Sequence, residues 1–330
     1  MSILHEIQKK SDSINTALKQ ILTLNQQPTE LYGLIQEFLN YGGKRLRPIL
    51  CLLSAESVGG KEDNTIKAAI AIELFHNFTL IHDDIEDNSL LRRGKPCLHL
   101  RHGIPLAINA GDGLYAIAYK AIISIDCTSE KKLRVFSLLN DAFLKVIEGQ
   151  AIELGWIKNK KWNLTIQDYM QMIECKTGAL LAVACQVGAL LADASESQQK
   201  VLYDFGMALG TAFQIQDDVL NLIGQEEKYN KEIGGDITEG KRTLMVLHAL
   251  NNTNLRIEDK KYLTELLDNH TLERSELEWA ITFLRDSGAI DYAQKLSAQL
   301  IHDSIKNLLE IDIETNKLVQ LAEYLINRNG

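Results

Sequence analysis

The sequence predicts one all-α domain over residues 1–330, on three observations. All four prolines (Pro28, Pro48, Pro96 and Pro105) lie in the first third, and none occurs from Leu106 to Gly330. A proline inside a helix costs about 3 kcal/mol, so a proline-free stretch of that length suits continuous helical architecture. Apolar residues recur every three or four positions, as in YLTELLDNHTLERSELEWAITFLRDSGAIDYAQKLSAQLIHDSIKNLLEI, which is the period of an amphipathic helix. Strand-like alternation between paired turn residues is hard to find, and no repeat, low-complexity tract or linker divides the chain.

Taken in order, a helix over 29–40 starts just past Pro28, and one over 45–58 follows the Gly42-Gly43 pair. A long apolar stretch predicts a helix over 62–88, which finishes in the acidic run HDDIED. Helices over 103–125 and 130–156 come next. One over 165–193 contains GALLAVACQVGALLA, and one over 196–224 contains LYDFGMALGTA. The charged, three-glycine segment QEEKYNKEIGGDITEGK, Gln225 to Lys241, reads as a mobile loop. Helices over 241–251 and 290–311 complete the set.

With 45% apolar residues in 330 the chain can build a substantial core. A formal net charge of −9 argues against a nucleic-acid partner, because a phosphate backbone demands a basic face; it leaves room for a local basic patch. The five cysteines form no CxxC pair and suit reduced thiols better than a disulfide frame or a zinc site. The N-terminal MSILHEIQKKSDS lacks the apolar core of a signal peptide. The longest uncharged run, Thr177 to Ala192, falls short of the roughly 20 residues of a membrane span and reads as a buried core helix. A soluble, cytoplasmic protein without a transmembrane segment is expected.

The chemistry lies at two helix ends. Asp83, Asp84 and Asp87 share one face within a turn, at about 100° per residue, while Glu86 points elsewhere. Bunched, half-buried carboxylates take up protons unless a cation neutralises them. Oxygen-only donors suit a hard ion such as Mg2+, which binds through one or two carboxylates plus substrate phosphates. A second set, Gln214, Asp217, Asp218 and Asn221, forms a polar stripe on an otherwise apolar helix. Cations suited to a diphosphate surround the two sets: Lys44, Arg45 and Arg47 in GGKRLRP, Arg92 and Arg93 in RRGKP, Lys176 beside Thr177, and Lys231, Lys241 and Arg242 in or just after the glycine-rich loop. Arginine forks match phosphate oxygens, and lysine serves as a point charge.

Taken in this order, GGKRLRP, DDIED…RRGKP, FQIQDD and GGDITEGKRTL, with Tyr324 and Arg328 near the end, resemble the trans-polyprenyl diphosphate synthases, the head-to-tail prenyltransferases. The resemblance covers nearly the whole chain and is closest to the geranylgeranyl diphosphate synthases. It implies an isoprenoid-synthase helical bundle around a deep central cavity, a homodimer, and magnesium ions holding an allylic diphosphate (dimethylallyl, geranyl or farnesyl). By motif position Asp83, Asp84, Asp87, Asp217 and Asp218 would bind the metal. Lys176, Thr177, Gln214, Lys231 and Lys241, together with Arg92, would serve the allylic diphosphate, and Lys44, Arg47, His76 and Arg93 the isopentenyl diphosphate. His76 stands seven residues before Asp83, on the same helical face.

Two departures from the family pattern stand out: Asn221 occupies the place of a third aspartate, which implies altered magnesium dependence, and Tyr229-Asn230 precede Lys231 where many relatives have glycine. In the family, the fourth and fifth residues before the first aspartate, here Thr79 and Phe78, help set the floor of the elongation cavity. A single aromatic there implies a twenty-carbon product, with fifteen or twenty-five carbons as alternatives. An ideal helix, however, turns Phe78 nearly opposite the carboxylate face. Two rival readings are a class I terpene cyclase, which has no use for GGKRLRP or a second arginine, and a non-catalytic regulatory subunit, which has no use for two aspartate pairs.

Overall fold

The computed structural model describes residues 3–21, 26–224 and 233–326. The chain forms α1 (Ile3–Ile21), α2 (Thr29–Leu39), α3 (Leu46–Ser57), α4 (Glu62–Glu86), a hairpin of β1 (Leu91–Arg92) and β2 (Lys95–Pro96), α5 (Leu98–His102), α6 (Ile104–Ile123), α7 (Ser129–Lys158), α8 (Ile166–Ile173), a π-helical turn (Glu174–Gly178), α9 (Ala179–Leu191) and α10 (Glu196–Ile223). After these come α11 (Gly235–Thr238), α12 (Leu244–Asn251), α13 (Ile257–Asp268), α14 (Arg274–Asp286), α15 (Ala289–Leu309) and α16 (Asn316–Ile326). The all-α reading holds, and the chain groups into two compact units. One comprises Met1–Phe143, Leu180–Gly206 and Asn307–Leu321; the other comprises Leu144–Ala179, Met207–Lys306 and Ala322–Gly330.

In the first unit, α4 is buried around its whole circumference from Ala68 to Phe75, as expected of a helix apolar on every side. The one charge in that stretch, Glu73, receives Arg45 at 2.6 Å with both side chains 2% exposed. Helix α6 lies along α4 through a stripe of mostly small residues, Ala107, Ala110, Gly111, Leu114 and Ala118. Helix α1 buries Ile14 and Leu18 and also Lys10, whose ammonium reaches Glu56, Glu62 at 3.4 Å and Glu6 at 3.6 Å.

In the second unit, Tyr169, Met172, Ile173, Ile215, Val219, Ile237 and the run Leu244 to Leu247 form the core. Arg242 is buried there. Its guanidinium stacks 4.0 Å over Trp162 and pairs with Asp268 at 2.6 Å. This corrects its grouping with the diphosphate cations: it locks the chain after the glycine-rich segment into the core.

The expected helices 29–40, 45–58, 62–88, 130–156, 165–193, 196–224 and 290–311 match observed helices to within a few residues. The helix expected over 103–125 has a separate short helix, α5, before it, because Gly103 takes a φ of 83° between the two. The segment expected to be a mobile loop is in part a helical turn, α11, and Lys241 to Thr243 form no regular element before α12; residues 225–232, including Lys231, lie outside the described residues, as does Arg328. Helices α1, α13, α14 and α16 lie beyond the drawn set. The stretch 166–191 is long and apolar enough to cross a membrane by composition, but 78% of its apolar window is buried within the protein, so it is the core helix the sequence suggested.

Candidate active site

In the first unit the acidic end of α4 is shaped by the hairpin that follows it. Arg93 and Gly94 take φ values of 54° and 74°, the two positive angles of a two-residue I′ turn. That turn puts Arg92 and Arg93 on opposite errands. Arg92 folds back onto Asp84, with Nε donating to Oδ1 at 2.8 Å and Nη2 bonding the same oxygen. Asp84 is buried, Asp83 and Asp87 are half-buried, and Glu86 is exposed, as the face argument required. Burial pulls Arg92 down, but Asp84 more than offsets this and holds it above its ordinary value. Burial and the same carboxylate push the neighbouring Cys97 thiol up to about 12.

Arg93 points toward the GGKRLRP loop and donates to the Gly42 carbonyl. A side chain at Gly43, where φ is 136°, would place its Cβ 2.7 Å from the Arg93 guanidinium; the glycine is what lets the arginine in. Burial, reinforced by Arg45 and Arg92 against the pull of Glu73, brings Arg93 down to about 10. Arg47 donates to His76 Nε2 at 3.0 Å. Burial, with Arg47, Arg93, Arg92 and Arg45 around it, holds His76 well below the histidine range. It is therefore neutral, its Nε2 accepting and its proton on Nδ1. Lys44 is exposed at the loop tip. Thr79 donates to the His76 carbonyl at 2.8 Å. Phe78 turns toward α6 and packs on Tyr115 at 5.1 Å, so the ideal-helix geometry stands.

In the second unit a directed hydrogen-bond chain crosses three elements. Thr177, in the π-helical turn, donates to Gln214 Oε1 at 2.8 Å. Gln214 Nε2 donates to Asp218 Oδ1 at 2.8 Å, and Tyr169 donates to Asp218 Oδ2 at 2.7 Å. Burial, then the nearby Asp236 charge, push Asp218 up to about 8 against those two bonds. Asp217 is half-buried on the same turn of α10. Lys176 pairs with buried Glu153, and Lys241 with Asp236 at 3.4 Å and with Glu239. Burial raises Glu153, but Lys176 and Lys241 outweigh it and hold it below the usual carboxylate range. Asn221 is buried and accepts the Asp236 N–H through Oδ1 at 3.0 Å, so its amide fastens the glycine-rich turn to α10. Tyr324 is 41% exposed, on α16.

Sequence reasoning did not single out Glu153, Tyr169 and Asp236. Asp236 was visible as the carboxylate inside GGDITEGK; Glu153 and Tyr169 sit in ordinary helical patterns, and only folding shows what they touch.

The fit to a divalent ion can be tested on the carboxylates themselves. Asp84 Oδ2 is buried without a hydrogen-bond partner, a carboxylate oxygen at the acidic end of α4 that a hard cation would satisfy. Among the described residues no three His, Cys, Asp or Glu side chains converge to hold an ion by themselves. The donors thus fit a magnesium ion that also takes oxygens from a bound phosphate.

The polyprenyl synthetase family matches residues 28–284. The chain is 38% identical to the geranylgeranyl pyrophosphate synthase of Geoglobus acetivorans over 98% of both chains. It is 32% identical to the geranylfarnesyl diphosphate synthase of Natronomonas pharaonis, over 98% of this chain and 97% of that one. The crystal structure of the geranylgeranyl pyrophosphate synthetase of Pyrococcus horikoshii matches with a TM-score of 0.91 at 36% identity, covering 99% of this chain and 98% of that one. With the motifs in order, the match across most of the chain and relatives above 30% identity over nearly their full length, the chain belongs to the polyprenyl synthetase family.

Proposed function

We propose that this enzyme condenses isopentenyl diphosphate head-to-tail with an allylic diphosphate, giving a short-chain trans-prenyl diphosphate whose main form is geranylgeranyl diphosphate. The observation that carries the reading is the split of the hairpin arginines: Arg92 serves the acidic end of α4, whereas Arg93 joins Arg47 and neutral His76 in a separate basic group. Two anionic substrates require two such groups. A terpene cyclase requires one, and a regulatory subunit neither.

In this reading Asp83, Asp84, Asp87, Asp217 and Asp218 hold magnesium, which when bound supplies positive charge to the departing diphosphate. Lys176, Thr177, Gln214, Lys231, Lys241 and Arg92 bind the allylic diphosphate. Lys44, Arg47, His76 and Arg93 orient isopentenyl diphosphate. The allylic C–O bond breaks, the isopentenyl double bond supplies the electron pair of the new C–C bond, and a proton leaves to the released diphosphate. The chain's own contribution is preorganised charge and the exclusion of water. Thr79 and Phe78 belong to the wall that limits the tail.

The whole of 1–330 acts as one synthase domain in this reading, supported by matches that span nearly all of it. A homodimer is supported by exposed Leu133, Leu144, Ile147 and Ile152 on α7, since apolar surface in that amount marks interaction faces. A cytoplasmic location is supported by five free cysteines. The test is to supply isopentenyl diphosphate and each allylic primer with magnesium and to chromatograph the dephosphorylated products. A twenty-carbon prenyl alcohol is expected; a cyclic hydrocarbon, or no new C–C bond, would overturn the reading.

A further inference from the structure

The loop that carries Lys44 and Arg47 takes a shape that one of its own residues disfavours. Gly42 and Gly43 have φ values of 82° and 136°, and Arg45 has one of 50°. A residue with a Cβ avoids the left-handed region, so Arg45 keeps that angle only because its surroundings hold it there. The grip comes through its side chain. Nη1 donates to Glu73 Oε1 at 2.6 Å, Nη2 to the Leu39 carbonyl at 3.0 Å, and Nε to Asn15 Oδ1 at 3.0 Å. One guanidinium thus gathers α4, the end of α2 and α1 around the loop.

The partners are themselves fixed. Asn77 donates through Nδ2 to Glu73 Oε1 at 2.9 Å, which holds the carboxylate in place for Arg45. Asn15 belongs to α1, which buried Lys10 ties to Glu56 on α3 and Glu62 on α4, while Ser13 also bonds Glu62. On the other side Arg45 stands directly before α3, and its carbonyl accepts the Ile49 N–H at 3.1 Å to open that helix. Arg47 is the second residue of α3, so its direction follows from how Arg45 starts the helix. Glu73 and His76 lie three residues apart on one face of α4. The same turn of α4 therefore anchors the loop through Arg45 and meets Arg47 through His76, at 3.0 Å.

We propose that Asn15, Arg45 and Glu73 act as one positioning unit for isopentenyl diphosphate, with no contact of their own to it, so that the first helix of the chain sets affinity for that substrate and not for the allylic one. The proposal rests on the condensation reaction and the isopentenyl site inferred above. Arg93 bonds the Gly42 carbonyl, so a loop released by Arg45 would let Lys44, Arg47 and Arg93 shift together. Arginine forks hold a diphosphate well only when their spacing matches its oxygens. Arg92 is instead held by Asp84, and its placement does not pass through Arg45. Charge and position also pull in opposite directions. Glu73 pairs with Arg45, and Arg93 feels its charge more than any other, so a mere countercharge would weaken their pull on an anion. Removing that charge would tighten binding if Glu73 did nothing else, and loosens it if Glu73 sets the loop.

Steady-state kinetics on full-length variants, with each substrate varied in turn, reads the difference. Glu73→Gln and Arg45→Lys are each expected to raise KM for isopentenyl diphosphate about tenfold, with KM for farnesyl diphosphate within about twofold of the unsubstituted value. Asn15→Leu should raise the first KM about threefold, and Asn15→Asp, which returns an oxygen to Arg45, should restore it. Glu73→Gln combined with Asn15→Leu should cost less than the product of the two, because both act through Arg45. KM does not depend on how much of a variant folds, so a purely structural role would lower the active fraction and leave both KM values alone. If the changes at Glu73 and Arg45 prevent folding, the Asn15 pair decides the matter. A fall in KM with Glu73→Gln, an unmoved KM in Asn15→Leu, or an equal rise for both substrates would overturn the proposal. Absence of any condensation by the unsubstituted chain would instead overturn the reading of the reaction; titration calorimetry of the same variants with isopentenyl diphosphate then decides the positioning role by itself.

Discussion

Arg45, Arg47, Arg92 and Arg93 come from two short basic runs, and burial sends them to different tasks. Arg45 is spent inside the fold, on Glu73, Asn15 and the Leu39 carbonyl. Arg92 neutralises Asp84, and Arg47 and Arg93 remain with His76. Arg93→Ala is therefore expected to raise KM for isopentenyl diphosphate with little change for the allylic primer. Arg92→Ala should disturb the allylic side and also destabilise the fold by about 3 kcal/mol, because it strands a buried carboxylate. Varying each substrate in turn checks the first, and urea unfolding the second. His76 adds a pH signature. Folded, it resists protonation, whereas an unfolded histidine takes a proton near pH 6.5. The unfolded chain thus binds more protons below that value, so the contribution of His76 is present above about pH 6.5 and lost as pH falls, by at most ~1.4 kcal/mol per pH unit. His76→Gln should flatten that part of the stability profile measured by urea titration from pH 7.5 to 5.5.

At the scale of elements, the acid ends of α4 and α10 were legible because an apolar helical period runs straight into paired aspartates. The elements between them were less so. Arg93 at positive φ is not a residue that announces a turn, and the hairpin is too short to alternate. Helix α1 carries KKSDS through its middle, and its place depends on a buried lysine meeting Glu56 and Glu62, which come from distant sequence. Helices α13 and α14 part at His270, whose φ of 52° is another unannounced turn. Asn221 stands in the place of a third aspartate, and the contact its amide makes to the backbone of Asp236 forms only when α11 packs on α10. Asn221→Asp keeps that acceptor but adds a charge near Asp218 and Asp236. The metal-free protein is expected to lose about 1–3 kcal/mol and to recover it with magnesium, as thermal unfolding with and without the ion would read. Gly43→Ala should crowd the Arg93 guanidinium and raise KM for isopentenyl diphosphate several-fold, leaving that for the primer unchanged.

For the whole molecule, activity is expected to require a divalent ion and both acidic sets. Asp83→Ala or Asp217→Ala should reduce turnover by orders of magnitude with circular dichroism unchanged, and a near-normal rate in either would remove the metal assignment. Light scattering at micromolar concentration should give twice the 37.1 kDa chain mass; a value at the single-chain mass would count against the dimer.

The pairing of Lys176 with Glu153 and of Lys241 with Asp236 and Glu239 also bears on which anions the second unit admits. Each lysine already holds an internal competitor, so an incoming anion must displace a tethered carboxylate as well as shed water. A singly charged metabolite or inorganic phosphate gains too little from that exchange, whereas a diphosphate that engages both lysines at once gains twice from a single arrival. On the proposed reading of the site, the carboxylates would therefore set a threshold that favours a ligand engaging both lysines over one that engages either alone.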